Sequence, residues 1–262
     1  GEYISSDNTP WHYRPLWFFI TTPVIVIFLF SIGIYYLFIR LAKRYLKLDK
    51  LNNTDVWKGR FEIFDLYCFL IILLSFFITI KFNTSQFNSW RHLYFLYPMV
   101  IYISLYGFYC INFFLKFKSV RKIFLSVIAI NLIYLLFWNI KYHPFQNFYF
   151  NIIAKNYIQD KFDYDYWGLS NTHALNFIAK SNNKFPVKVA TISFSDLNQS
   201  LLKVEKTDRN KIIIVHDPNE ADFLITNYMK KFRNNFFIDE TIHKKYYELV
   251  VDKVVINTIY KK

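Results

Sequence analysis

Glycine is scarce in this chain: five occur among 262 residues, at Gly1, Gly33, Gly59, Gly107 and Gly168. None is spaced as G-x-G-x-x-G or as a phosphate-cradling loop, which excludes a dinucleotide fingerprint and a P-loop. Cysteine is scarcer still, with only Cys68 and Cys110, both inside long apolar runs. Small buried hydrophobes account for them, and a disulfide framework has no support. The histidines, His12, His92, His143, His173, His216 and His243, show no metal-binding spacing. No metal and no cofactor is expected. Acidic residues are also few: 19 Asp and Glu stand against 32 Lys and Arg, a net charge of +13. Asp163, Asp165, Asp217 and Asp222 read as solvated faces and turns and receive no catalytic role.

What the chain has in abundance is apolar sequence, 54% hydrophobic and 22% aromatic, gathered into blocks. A run of about 20 such residues spans the hydrocarbon core of a bilayer as a helix. Four blocks qualify: Pro15 to Ile39, Ile63 to Phe82, Leu93 to Leu115 and Ile123 to Ile140. Each is nearly free of charge inside and flanked by Lys, Arg, Trp or Tyr, as interfacial anchors require. Asp65 is the exception, near one end of its block. The loop between the first two blocks carries Lys43, Arg44, Lys47, Lys50, Lys58 and Arg60 against Asp49 and Asp55; that between the last two carries Lys116, Lys118, Arg121 and Lys122 with no acid. Both loops fall on one side, which the positive-inside rule makes cytoplasmic. The N-terminal stretch, the Asn83 to His92 loop and everything after Ile140 then face outward. The basic excess therefore reads as topology, and nucleic acid is not an expected partner. The opening at Gly1 shows no basic n-region and resembles the C-terminal part of a longer chain.

Two domains are expected, a transmembrane region over 1–142 and an extracytoplasmic α/β domain over 143–262. In the second, Thr172 to Ala179 has helical spacing and "SDLNQSLLKV" from Ser195 opens on a capping residue. Pro186 to Ser193, Lys211 to Val215, Ala221 to Tyr228, Tyr246 to Val251 and Val254 to Tyr260 are strand-like, the last two forming a hairpin. Asp217-Pro218-Asn219 is a turn. Gly168 marks a tight turn, with Ser170 or Asn171 capping the helix after it.

Four stretches go beyond what spans and strands need: "PWHYRPLWFFITTP" (Pro10 to Pro23), "SWRHLYFLYP" (Ser89 to Pro98), "HPFQNFYFN" (His143 to Asn151) and "DYDYWGLSNTHAL" (Asp163 to Leu175). All four lie on or near the outer side and are expected to converge there. They resemble the C-terminal half of bacterial multi-spanning glycosyltransferases of family 39, relatives of the protein O-mannosyltransferases and lipid A aminoarabinose transferases. The shared patterns are W-x-Y-x-P, W-R-H-x-Y-F-x-Y-P, H-P-x-Q-x-x-Y-F-N and D-Y-W-G-L-S in this order, then A-D-x-x-I-T-N-Y at Ala221 to Tyr228. The resemblance runs from about Pro10 to Tyr260.

It implies a GT-C fold, an α-helical membrane bundle with about four spans here, followed by a small α/β domain outside the plasma membrane. It also implies an enzyme that moves a sugar from a polyprenyl-phosphate donor to a lipid, glycan or protein acceptor. In such enzymes the acids that serve as base and substrate ligand precede this region, so the catalytic carboxylate is expected upstream of Gly1. The candidates for donor phosphate or substrate binding are Arg91, His92, Trp90, Tyr94, His12 and Arg14. A guanidinium at Arg91 can meet a leaving phosphate bidentately; His92 adds a hydrogen bond, and Trp90 with Tyr94 line a sugar or prenyl path. The competing account makes these residues headgroup anchors, and His143 a helix-end cap. The alternative function is a four-span scaffold whose outer domain binds a partner. A transporter is weaker, because no span centre carries an evident ionisable residue.

Overall fold

Pro23 divides the first apolar block. Proline has no amide hydrogen to give a helix and pushes the residue before it out of the helical region; Thr22 is extended, with ψ at 136°. The computed structural model, which describes residues 9–46, 59–85, 89–158, 161–162, 165–182, 185–229 and 241–262, therefore has two helices here. These are α1 (Tyr13–Thr21) and α2 (Val24–Tyr45). The single helix expected over Pro15 to Ile39 is corrected accordingly, and α2 runs on through Arg40, Lys43 and Arg44. Of the loop charges that set the expected orientation, Lys47, Asp49, Lys50, Asp55 and Lys58 lie outside the described residues. Asp163 does too.

Next come α3 (Gly59–Lys81), α4 (Tyr97–Phe114) and α5 (Lys118–Lys141). A 3-10 turn over Arg91–Leu96 leads into α4, whose first turn accepts Pro98 because that position needs no amide donor. Four helical stretches, Val24–Tyr45, Gly59–Lys81, Arg91–Phe114 and Lys118–Lys141, are long and apolar enough to cross a membrane. Their outward faces are apolar too: Phe77, Tyr109, Phe113, Ile130 and Ile133 are all exposed. A soluble protein does not show so large an apolar surface, whereas a bilayer accepts it. These helices fit a membrane-embedded protein.

Glycines let α2 and α4 approach closely. A Cβ on Gly33 would stand 2.2 Å from the Ile103 carbonyl oxygen, and one on Gly107 would stand 2.1 Å from that of Leu29. Small residues at helix contacts are the means by which membrane helices gain dispersion contacts without hydrophobic driving force. Ion pairs join α2 to α3. Arg40 Nη1 donates to Asp65 Oδ2 at 2.8 Å, and Tyr102 OH donates to Asp65 Oδ1 at 2.9 Å. Arg44 meets Glu62 with two nitrogens, Nη2 lying 2.7 Å from Oε1. Helix α5 stacks Phe124 on Phe108 of α4, with ring centroids 5.6 Å apart.

The chain divides into two compact units, a helical one (Ile4–Ile140 with Phe150–Ile153) and a second comprising Lys141–Tyr149 and Ala154–Lys262. The second is a five-stranded mixed sheet with helices. Its elements are α6 (Leu169–Ser181), β1 (Val187–Thr191), α7 (Leu197–Leu201), α8 (Lys206–Arg209), β2 (Ile212–Ile214), β3 (Phe223–Thr226), β4 (Lys244–Val251) and β5 (Val254–Lys261). The strand order is β2-β1-β3-β5-β4, with β1 parallel to β2 and β3, and β5 antiparallel to β3 and β4. Ala174, Leu175 and Ile178 of α6 and Leu197 of α7 cover one sheet face, against Val187, Val189, Phe223, Ile225 and Ile259. The expected strands and hairpin are all present, with the Val251 and Val254 ends of the hairpin strands as expected and the other ends moved by a residue or more. Pro218–Glu220 forms a 3-10 turn, with Asp217 accepting from Asn219 N. The cap of α7 is Asp196, not Ser195: its carboxylate accepts from Asn198 N at 2.8 Å.

Candidate functional site

The helix break at Pro23 leaves carbonyls at the end of α1 with no helical partner. Asn151 supplies the donors. Its side-chain nitrogen reaches Phe19 O at 2.5 Å and Thr22 O at 3.0 Å, and its backbone N reaches Ile20 O at 2.9 Å. The neighbouring Phe150 ring packs against Trp17, with centroids 6.0 Å apart.

A second set of contacts ties α1 to the turn that opens α4. Trp90 Nε1 donates to Thr21 Oγ1 at 2.9 Å, and its ring meets Phe18 edge-on at 5.2 Å. Ser89 N donates to Tyr13 OH at 3.1 Å. The Pro10 to Pro23 and Ser89 to Pro98 stretches and Phe150 and Asn151, the last two residues of the third stretch, thus come together through Tyr13, Thr21, Trp90 and Asn151, at the end of the helical unit where α2 begins, while His143 to Tyr149 belong to the second unit. The Asp163 to Leu175 stretch belongs to the sheet unit.

Each proposed site residue has a definite place. Trp90 is buried, held by Thr21, with Tyr94 edge-on at 5.0 Å. Tyr94 and His12 are exposed; Arg91 is half-buried. His92 lines a cavity of about 380 Å³ together with Ser75, Thr79, Thr84, Ser85, Leu93 and Phe95. Arg14 is fully buried, and its Nη2 donates to the Thr84 carbonyl at 2.7 Å. His143 bonds Gln146, Nε2 to Nδ1 at 2.8 Å, so its partner is a side chain and not the end of α5. The hydroxyl wall of the cavity, Ser75, Thr79, Thr84 and Ser85, was not singled out in the sequence, where it is only the polar end of an apolar block.

In the sheet unit the D-Y-W-G-L-S stretch builds a buried polar network. Gly168 takes the left-handed conformation (φ 61°) ahead of α6, a position where a side chain is strained. Asp165 caps the helix, accepting from Leu169 N at 2.9 Å and Ser170 N at 3.1 Å. This corrects the assignment of the cap to Ser170 or Asn171. Those two instead meet β5: Asn257 Nδ2 donates to Ser170 Oγ at 2.9 Å and to Asn171 Oδ1 at 3.0 Å. Asn227, just past β3, donates to the Asp165 carbonyl at 3.0 Å. Burial pushes the Asp165 carboxyl above its ordinary range, although Ser170, Leu169 and Asn227 donate to it. Among the described residues no group of three or more His, Cys, Asp or Glu is arranged to hold a metal.

No family model matches the chain, and no curated protein or solved structure is significantly similar to it. The resemblance to family 39 is thus an expectation from the sequence alone, carried by the four stretches and the Ala221 to Tyr228 pattern.

Proposed function

We propose that the chain is the C-terminal part of an integral-membrane glycosyltransferase of the GT-C type, which moves a sugar from a polyprenyl-phosphate donor to a lipid, glycan or protein acceptor. In this reading it sits in the bacterial plasma membrane, with Arg44, Arg60, Lys118, Arg121 and Lys122 on the cytoplasmic side and the sheet unit outside. The observation that carries it is the junction of the Pro10 to Pro23 and Ser89 to Pro98 stretches with Asn151 at one end of apolar helices, beside a cavity lined by His92 and hydroxyl groups. Lipid-linked substrates demand this combination: an apolar surface for the prenyl chain and polar groups at the depth of the headgroup. Arg91 and His92 would meet the phosphate as negative charge accumulates on it. The catalytic carboxylate is placed upstream.

The test is sugar transfer from a labelled polyprenyl-phosphate donor by the natural protein in membranes, comparing wild type with Arg91→Ala at equal abundance. A drop of about a hundredfold, some 2.7 kcal/mol, is expected. Transfer unchanged in the variant makes Arg91 an anchor, and no transfer from any donor returns the chain to a four-span scaffold.

A further inference from the structure

The Asp163 to Leu175 and Ala221 to Tyr228 stretches, both in the sheet unit, each supply a donor to one cluster of hydroxyls. Asn171 accepts from Asn257 with Oδ1, and its Nδ2 donates to Ser195 Oγ at 2.9 Å. Asn227 N donates to Ser193 Oγ at 3.3 Å. Ser193 N donates in turn to Thr191 Oγ1 at 3.1 Å, and Thr191 Oγ1 donates to Ile225 O at 3.2 Å. Ser193 Oγ lies 3.0 Å from Thr191 Oγ1 and 3.2 Å from Ser195 Oγ. Three hydroxyls are therefore fixed in place before any ligand arrives, which lowers the ordering cost of binding one. Gly168 belongs to the same device, because a Cβ there would lie 2.9 Å from Asn171 Nδ2.

The cluster borders a cavity of about 150 Å³ outside the carboxyl ends of the parallel strands β1 and β2, where open α/β sheets hold their ligands. Thr191 and Ser195 line it together with Asp196, Asn198 and His216, and Leu197 with Ile214 gives it an apolar wall. This lining selects by chemistry. No Lys or Arg lines the cavity and a carboxylate does, which disfavours an anion. One acid and one histidine fall short of a metal set, and no group of three or more His, Cys, Asp or Glu stands ready among the described residues. A wholly apolar ligand would leave the five polar residues without partners. What fits is a neutral ring that gives and accepts hydrogen bonds at its rim. Asp196, whose Oδ1 already holds Asn198 N, has a second oxygen for a ligand hydroxyl; the Asn198 amide and the hydroxyls work in both directions; and Leu197 and Ile214 suit the C–H face of such a ring.

We propose that this cavity, held in shape by Asn171 and Asn227, is a binding site for a single neutral sugar residue. The site stands on the sheet unit alone. Only the source of the sugar rests on the transferase reading, which makes it a residue of the acceptor glycan; a free sugar presents the same ring.

The experiment is saturation-transfer NMR on the whole protein in nanodiscs, with the methyl glycosides and the reducing forms of glucose, galactose and N-acetylglucosamine as probes and empty nanodiscs as the blank. At least one methyl glycoside is expected to saturate with a Kd on the order of millimolar, the range for so small a ligand, and to resist displacement by inorganic phosphate or calcium. Asp196→Asn keeps a residue able to cap α7 while removing the charge, and His216→Ala removes an exposed ring; each is expected to weaken binding about tenfold without lowering the melting temperature. Asp217→Asn, outside the lining, is expected to bind like wild type. Saturation by a reducing sugar with none by its methyl glycoside supports the site and makes its ligand a free sugar. The proposal is overturned if no probe saturates, if phosphate or calcium displaces the sugar, or if Asp196→Asn and His216→Ala both bind like wild type. Because binding is read without turnover, sugar transfer with no binding signal sinks this site alone, and an Asp196-dependent signal with no transfer from any donor sinks the transferase alone.

Discussion

Gly33 and Ile103 touch backbone to backbone: a methyl group on the glycine would lie 2.2 Å from the Ile103 carbonyl oxygen, and Gly107 repeats the arrangement against Leu29 at 2.1 Å. Because the obstacle is main chain, neither site can yield by rotating a side chain. Gly33→Ala and Gly107→Ala are each expected to destabilise the helical unit by about 3 kcal/mol, read as a lowered midpoint of unfolding in detergent. A Cβ on Gly107 would also lie 2.7 Å from Gly33 N, so one separation of α2 from α4 relieves both clashes. The double variant is therefore expected to cost less than the sum.

Asp65 takes Arg40 on one oxygen and Tyr102 on the other. Removing the carboxylate alone strands the guanidinium within the apolar unit, so Asp65→Ala is expected to cost about 3–5 kcal/mol. Tyr102→Phe removes one hydrogen bond to a charged group and costs about 2 kcal/mol. Replacing both charges, Arg40→Met with Asp65→Leu, is expected to recover most of the loss. A double-variant cycle by denaturant unfolding checks this, and strict additivity would count against a coupled pair.

Asn151 closes the end of α1 with donors alone at Phe19 O and Thr22 O. Asn151→Asp keeps the size but turns the donor into an acceptor facing two carbonyls. It is expected to destabilise more than Asn151→Ala, which leaves those oxygens unpaired at a cost of about 1–3 kcal/mol. Equal effects in the two variants, measured by thermal unfolding, would show that the side-chain nitrogen does not matter.

Asp165 gives the sheet unit an inverted acid dependence. Its folded-state affinity for a proton is raised by burial, above that of the unfolded chain. The contribution to stability is thus fully present below the ordinary aspartate range and is lost as pH rises through the higher folded value. Asp165→Asn removes this segment of the pH profile, even though the amide, a poorer partner for the Leu169 and Ser170 amides, lowers stability by about 1–3 kcal/mol throughout. Unfolding followed by hydrogen exchange at the α6 amides across acidic pH measures both effects.

The parts of the fold that were legible in the sequence depend on local pattern. The apolar blocks announce α2 to α5 because a helix must be about 20 residues long to cross a bilayer, and β-branched runs such as Ile212–Ile214 and Phe223–Thr226 announce strands. Pro23 was equally visible, yet its block read as continuous because hydropathy averages over a single residue. The helix cap reads as Ser170 or Asn171 in the sequence, whereas the longer reach of Asp165 across a left-handed glycine provides it. The site was harder to read. Asn151 lay in a quoted stretch, but its acceptors at Phe19 and Thr22 are 132 and 129 positions away, and no local rule connects them. Arg14 was named beside Arg91 without any sign that it would be the more deeply enclosed of the two. Burial is a property of packing, and the sequence around Arg14 shows only an aromatic helix end.

The strand order β2-β1-β3-β5-β4 carries a consequence for how the chain is made. The fifth strand follows every other described element, yet it lies inside the sheet, pairing with β3 on one edge and β4 on the other. Until Val254–Lys261 has been delivered, β4 has no neighbour, β3 has a bare edge, and Ser170 and Asn171 lack the amide of Asn257. Vectorial synthesis thus brings the keystone last, and the nascent unit stays open to chaperones and proteases until that moment, when one strand closes both halves together.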